Sequence, residues 1–95
     1  MTTTIEKPRE AGPGSDLGGD WRVIVRNDDH NTFEHVAQTL AQVLPGVTVD
    51  QGHQIAERIH GSGQAIVWSG TRELAEHYWD QLKAAGLTLA PLERA

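Results

Sequence analysis

Apolar residues recur along this chain in two rhythms. From Trp21 the run W-R-V-I-V alternates a large and a charged residue and then turns β-branched, which predicts a half-buried strand over residues 22–27. From Phe33 the step lengthens. Phe33, Val36, Ala37, Leu40, Val43 and Leu44 fall three and four residues apart, one face of a helix. Asn31 suits the N-cap of that helix, with Glu34 three residues later able to return the bond in a capping box, and Pro45-Gly46 stops it. A second helix is predicted to start at Thr48, paired with Gln51, with Asp50 in the first turn. Its core face is Val49, Ile55, Ala56 and Ile59, and Gly61 and Gly63 end it. The run Q-A-I-V-W reads as a strand. Gly70-Thr71 opens a third helix with the stripe Leu74, Ala75, Tyr78, Leu82 and Ala85, closed by Gly86. The ending L-T-L-A-P-L predicts a last strand that stops at Pro91 or lies at an edge, because proline cannot donate to a ladder.

The order strand, helix, helix, strand, helix, strand predicts an α/β two-layer sandwich, βααβαβ, with a three-stranded sheet and helices packed on one face. Residues 1–20 hold four Gly, two Pro and six charged residues but only Ile5 and Leu17 as sizeable aliphatics, so they read as a flexible tail before a core over 21–95. A chain of 95 residues has room for one such core. The absence of Cys removes disulfides and thiolate metal sites, and suits a reducing compartment. With M-T-T-T-I-E-K-P showing no signal-peptide order and no apolar run of membrane-spanning length, a cytoplasmic protein that does not engage membranes is expected. A net charge of −5 argues against nucleic acid, which selects clustered positive charge.

Candidate chemistry gathers at a few places. Asn27, Asp28 and Asp29 join the first strand to the first helix, where they serve either as a turn or as a group of acceptors for a cation. Asp50, His53, Glu57 and His60 share a helical face, so a metal-dependent hydrolase using Asp28, Asp29, His53 and His60 is an alternative. His30, His35 and His77 read as surface residues. Trp68, Tyr78 and Trp79 fit core packing better than partner contact. Ser15, Ser62 and Ser69 lack a G-x-S-x-G setting, and G-S-G lacks the Lys and Thr of a phosphate loop. No catalysis and no cofactor are expected.

Several segments together resemble one family. N-D-D at 27–29 with N-T-F-E-H-V at 31–36, R-I-H-G-S-G-Q-A at 58–65 and T-R-E-L-A-E at 71–76 are similar to the signatures of the ClpS adaptors of the Clp protease, in the same order. The ending A-G-L-T-L-A-P-L-E looks like a divergent second branch of that family. The resemblance implies a βααβαβ adaptor without enzymatic activity. Such an adaptor binds proteins with a free N-terminal Leu, Phe, Tyr or Trp and delivers them to the N-domain of a Hsp100 unfoldase, ClpC or ClpA. It further implies that Asn27, Asp29 and His60, with Asp28 alongside, hold the α-amino group. The side-chain pocket then falls to Asn31, Phe33, Val36, Ile59 and Thr88, and the unfoldase contact to Glu73 and Tyr78. Phe33 stands where most members have Met, Thr88 where many have an aliphatic residue, and Tyr78 where Lys is frequent. A stiffer, bulkier Phe33 predicts a reshaped pocket that favours Leu over Trp. A monomer is expected.

Overall fold

The computed structural model describes residues 20–95. The tail expected over 1–20 lies, but for Asp20, outside the described residues. Strand β1 (Trp21–Arg26) is central and antiparallel to its neighbours. It pairs along its length with β2 (Gln64–Gly70) on one side. On the other side it meets two short strands, β3 (Thr88–Leu89) and β4 (Glu93–Arg94). These two are the halves of the last strand expected from the sequence. The pairing shifts by one residue between them, and Pro91 sits in the gap, where it has no amide to give.

Val23 and Val25 alternate onto the helix-facing side of the sheet and are essentially inaccessible, as period-two patterning requires. In β2 the register against β1 slips between Val23 and Ile24, leaving Val67 as an extra residue. This bulge re-aims the strand. Val67 then joins Ala65 in the core while Trp68 lies edge-on to Tyr78, with ring centroids 4.9 Å apart.

Three helices cover that side: α1 (Phe33–Val43), α2 (Val49–Ser62) and α3 (Arg72–Ala84). The capping box at Thr48 and Gln51 forms as predicted, and Thr71 caps α3. At α1 the prediction is corrected. Thr32, not Asn31, is the N-cap, its hydroxyl accepting from His35 N–H at 3.0 Å, while Glu34 turns away to Gln38 and His53. Val49 and Leu74 were expected on core faces but are exposed, because each lies in the first turn of its helix, beyond the sheet's cover. Helices α1 and α2 pack closely at Gly52, where a methyl group would collide with the carbonyl oxygen of Ala37. Leu40, Leu44, Ile59, Ala75, Leu82 and Leu87 complete the core. No helix among the described residues is long and apolar enough to cross a membrane.

Candidate functional site

The site lies where three distant segments meet: the loop after β1, the end of α2 and the start of β3. Asp28 joins the first to the third. One carboxylate oxygen accepts from the backbone N–H of His30 (3.1 Å) and Asn31 (2.8 Å). The other accepts from the Asn31 side-chain amide (2.8 Å) and the Thr88 hydroxyl (2.7 Å). Asn31 reaches further, donating to the Gly86 carbonyl at 2.8 Å. Burial alone would push the Asp28 carboxyl up, but the bonds from Asn31, Thr88 and His30 together outweigh it and hold it well below the usual carboxylate range. The second segment is tied in by the backbone. Asn27 N–H donates to the Gly63 carbonyl at 2.9 Å, and Gly63 takes the left-handed conformation (φ +91°) that ends α2.

These ties enclose an open cavity of about 350 Å³, at the small end for a ligand site. Its depth is apolar, from Val25, Val36, Ala56, Ile59 and Leu87, with Phe33 at the side. Its polar rim is Asn27, Asp28, Asp29, Asn31, His60 and Thr88, with Arg26 beside them. Every residue expected at the amine site or in the side-chain pocket thus lines one cavity. Their states differ. Asp28 accepts four hydrogen bonds from within the fold, and these shape the loop around its carboxylate. Asn31 is likewise committed as a brace. Asn27, Asp29 and His60 are exposed, and among the described residues their side chains make no hydrogen bond or ion pair. Sequence reasoning missed Val25, Arg26, Ala56 and Leu87. Val25, Ala56 and Leu87 sit at core-type positions, and nothing in their spacing marks a wall that a ligand could also touch.

Glu73 and Tyr78 lie elsewhere. The β1–β2 ladder runs from Arg26 against Gln64, beside the cavity, to Trp21 against Gly70, where α3 begins. That separates the two ends by about 17 Å at strand rise. Glu73 is exposed there, and Tyr78 is half-buried against Trp68. The metal alternative loses its cluster. His53 does not line the cavity but bonds Glu34, and no group of three or more His, Cys, Asp and Glu among the described residues is placed to hold a metal ion.

Comparison with known proteins agrees with this geometry. The sequence profile of the ATP-dependent Clp protease adaptor protein ClpS matches residues 18–93. The ClpS adapter of a Nostoc species is 53% identical over 76 residues, 80% of this chain and 78% of its own length. A chloroplastic ClpS-type adapter of Arabidopsis thaliana is 40% identical over 70% of this chain and 42% of its own. Among solved structures, ClpS2 of Agrobacterium tumefaciens bound to L-phenylalaninamide superposes with a TM-score of 0.69 at 26% identity, covering 82% of this chain and 99% of that one. With the fold and the sequence in agreement, the chain belongs to the ClpS family of adaptors of the ATP-dependent Clp protease.

Proposed function

We propose that this adaptor captures proteins through a free, hydrophobic N-terminal residue and delivers them to a Hsp100 unfoldase. One observation carries the reading: side chains of Asn27, Asp29 and His60 with no partner among the described residues ring an apolar cavity sized for a single side chain. An α-ammonium group brings three donors and a charge, whereas an internal peptide nitrogen brings one donor and no charge. An ammonium group satisfies that rim, and an internal peptide nitrogen does not. Charge-assisted bonds contribute about 1.5–3 kcal/mol each, and burial of a Leu or Phe side chain a similar amount, so both parts are needed to exceed the entropy of association. The ligand of the Agrobacterium structure supports this: phenylalaninamide offers a free amine, a Phe side chain and an amide where a peptide would continue.

The finer parts of the reading follow from the same frame. Phe33 narrows the pocket, so Leu is bound in preference to Trp. Asp28, beside the amine-binding groups, and Asn31, in the pocket wall, also fix the loop that carries them. Glu73, where α3 begins at the far end of the sheet, and Tyr78, further along the same helix against Trp68, meet the N-domain of ClpC or ClpA, away from the residues that line the cavity. Residues 1–20 serve as the handle the unfoldase engages, and the adaptor acts as a monomer in the cytoplasm without catalysing a reaction. The test compares a Leu-initiated peptide with its N-acetylated twin by titration. Acetylation removes the charge and two donors, and should abolish binding. Equal affinity for the two peptides would refute the reading.

A further inference from the structure

Phe33 is the most exposed of the large apolar residues, at 47% of its surface, yet it lines the cavity. A wall that exposed defines the shape of a pocket only if something holds it. The Phe33 ring lies parallel to the His53 ring, with centroids 5.7 Å apart and planes 5° from coincidence. His53 is in turn held from the side. Its Nε2 donates to a Glu34 oxygen at 2.9 Å, and the other oxygen of that carboxylate accepts from the Gln38 side chain at 2.9 Å. An ionised carboxylate only accepts, so the contact fixes the proton on Nε2 and, with it, the orientation of the ring. The hydrogen bonds from His53 and then Gln38 hold the Glu34 carboxyl below its ordinary range, which keeps it in that accepting form.

We infer that His53 is a specificity-setting positioning residue: braced by Glu34 from the neighbouring helix, it pins Phe33 and thereby fixes the width of the side-chain cavity from outside it. This rests on the cavity being the N-terminal-residue site. With Phe33 held, a slim aliphatic side chain fits and a wide indole is disfavoured. Once Phe33 is released, its ring swings and the two ligands become more alike.

The experiment measures the ratio of dissociation constants for Leu- and Trp-initiated peptides, with N-acetylated twins as controls, in the wild type and in His53→Ala, His53→Gln and His53→Phe. His53→Ala should reduce the Leu preference about threefold to tenfold, the range that one aromatic pair commands. His53→Gln keeps a donor for Glu34 but lacks a ring and should lose the preference as Ala does. His53→Phe keeps the ring without the bond to Glu34 and should retain more of the preference than Ala or Gln but less than the wild type. In a Phe33→Ala background, His53→Ala should leave the ratio unchanged, an outcome that a general structural role would not produce. An unchanged ratio in His53→Ala and His53→Gln, with free peptides still preferred over acetylated ones, overturns the positioning role alone. Failure of the wild type to distinguish free from acetylated peptide overturns the N-terminal reading and this inference with it.

Discussion

Replacing Asp28 by Asn should loosen the site more than so conservative a change suggests. In the wild type each carboxylate oxygen faces two donors. An amide can present an oxygen to only one of those pairs, so its NH₂ must confront either two backbone N–H groups or the Asn31 amide and Thr88 hydroxyl. The Asp28 side chain is only 12% exposed, so water compensates poorly. Losing two charge-assisted bonds, at the low end of about 1.5 kcal/mol each, should cost about 3 kcal/mol. In urea, with a slope near 1 kcal/mol per M for a domain this small, the unfolding midpoint followed by Trp fluorescence should fall by about 3 M. The pH dependence adds a signature. The folded-state pKa lies below the ordinary value of 3.8, so the stability contributed by Asp28 is complete above about pH 4–5 and fades as pH falls through the folded pKa. The gap between wild type and Asp28→Asn should therefore be constant near neutrality and close progressively below pH 4. Equal midpoints at pH 7, or a gap that widens in acid, would refute the assignment of Asp28 as the loop's brace.

Other outcomes follow from single contacts. Gly52→Ala forces a methyl against the Ala37 carbonyl, which should separate α1 from α2 at a cost of about 2–3 kcal/mol and lower the melting temperature by about 10–20 °C. Gly63→Ala strains a left-handed residue by about 1–2 kcal/mol, and because the same peptide unit accepts from Asn27 N–H, peptide affinity measured by fluorescence anisotropy should fall along with stability. Asp29→Ala should weaken binding of a Leu-initiated peptide by about 1.5–3 kcal/mol while leaving the unfolding free energy within about 0.5 kcal/mol, since that carboxylate has no partner among the described residues. Deleting residues 1–20 should preserve peptide affinity but stop substrate degradation in a reconstituted unfoldase assay; a collapse of affinity would instead make the tail part of the site.

Local chemistry was the legible part of this sequence. The Thr48 and Gln51 box needs only four consecutive residues to recognise, and it forms. The cap of α1 did not yield to the same reasoning, because Asn31 and Thr32 are both competent caps and the choice is made by Gly86, 55 residues away, which engages the Asn31 amide. Pattern likewise placed Val49 and Leu74 on apolar stripes but could not say where the sheet ends beneath them. The cavity was readable as a set of residues, through motifs, and much less as a division of labour. Asp28 and Asp29 are adjacent and chemically identical. The donors of His30 and Asn31, two and three residues on, and the one tertiary donor, Thr88, distinguish the brace from the free acceptor.

The stitching of the cavity also bears on the life of the chain. Asn27, Gly63 and Thr88 belong to segments that leave the ribosome far apart in time, and the bond from Thr88 to Asp28 joins the last of these segments to the first. A nascent or C-terminally clipped chain that has lost β3 keeps its acidic loop but has no third wall. Under the proposed function, full recognition therefore waits for β3, and an adaptor still lacking that strand has an incomplete pocket with which to hold a substrate.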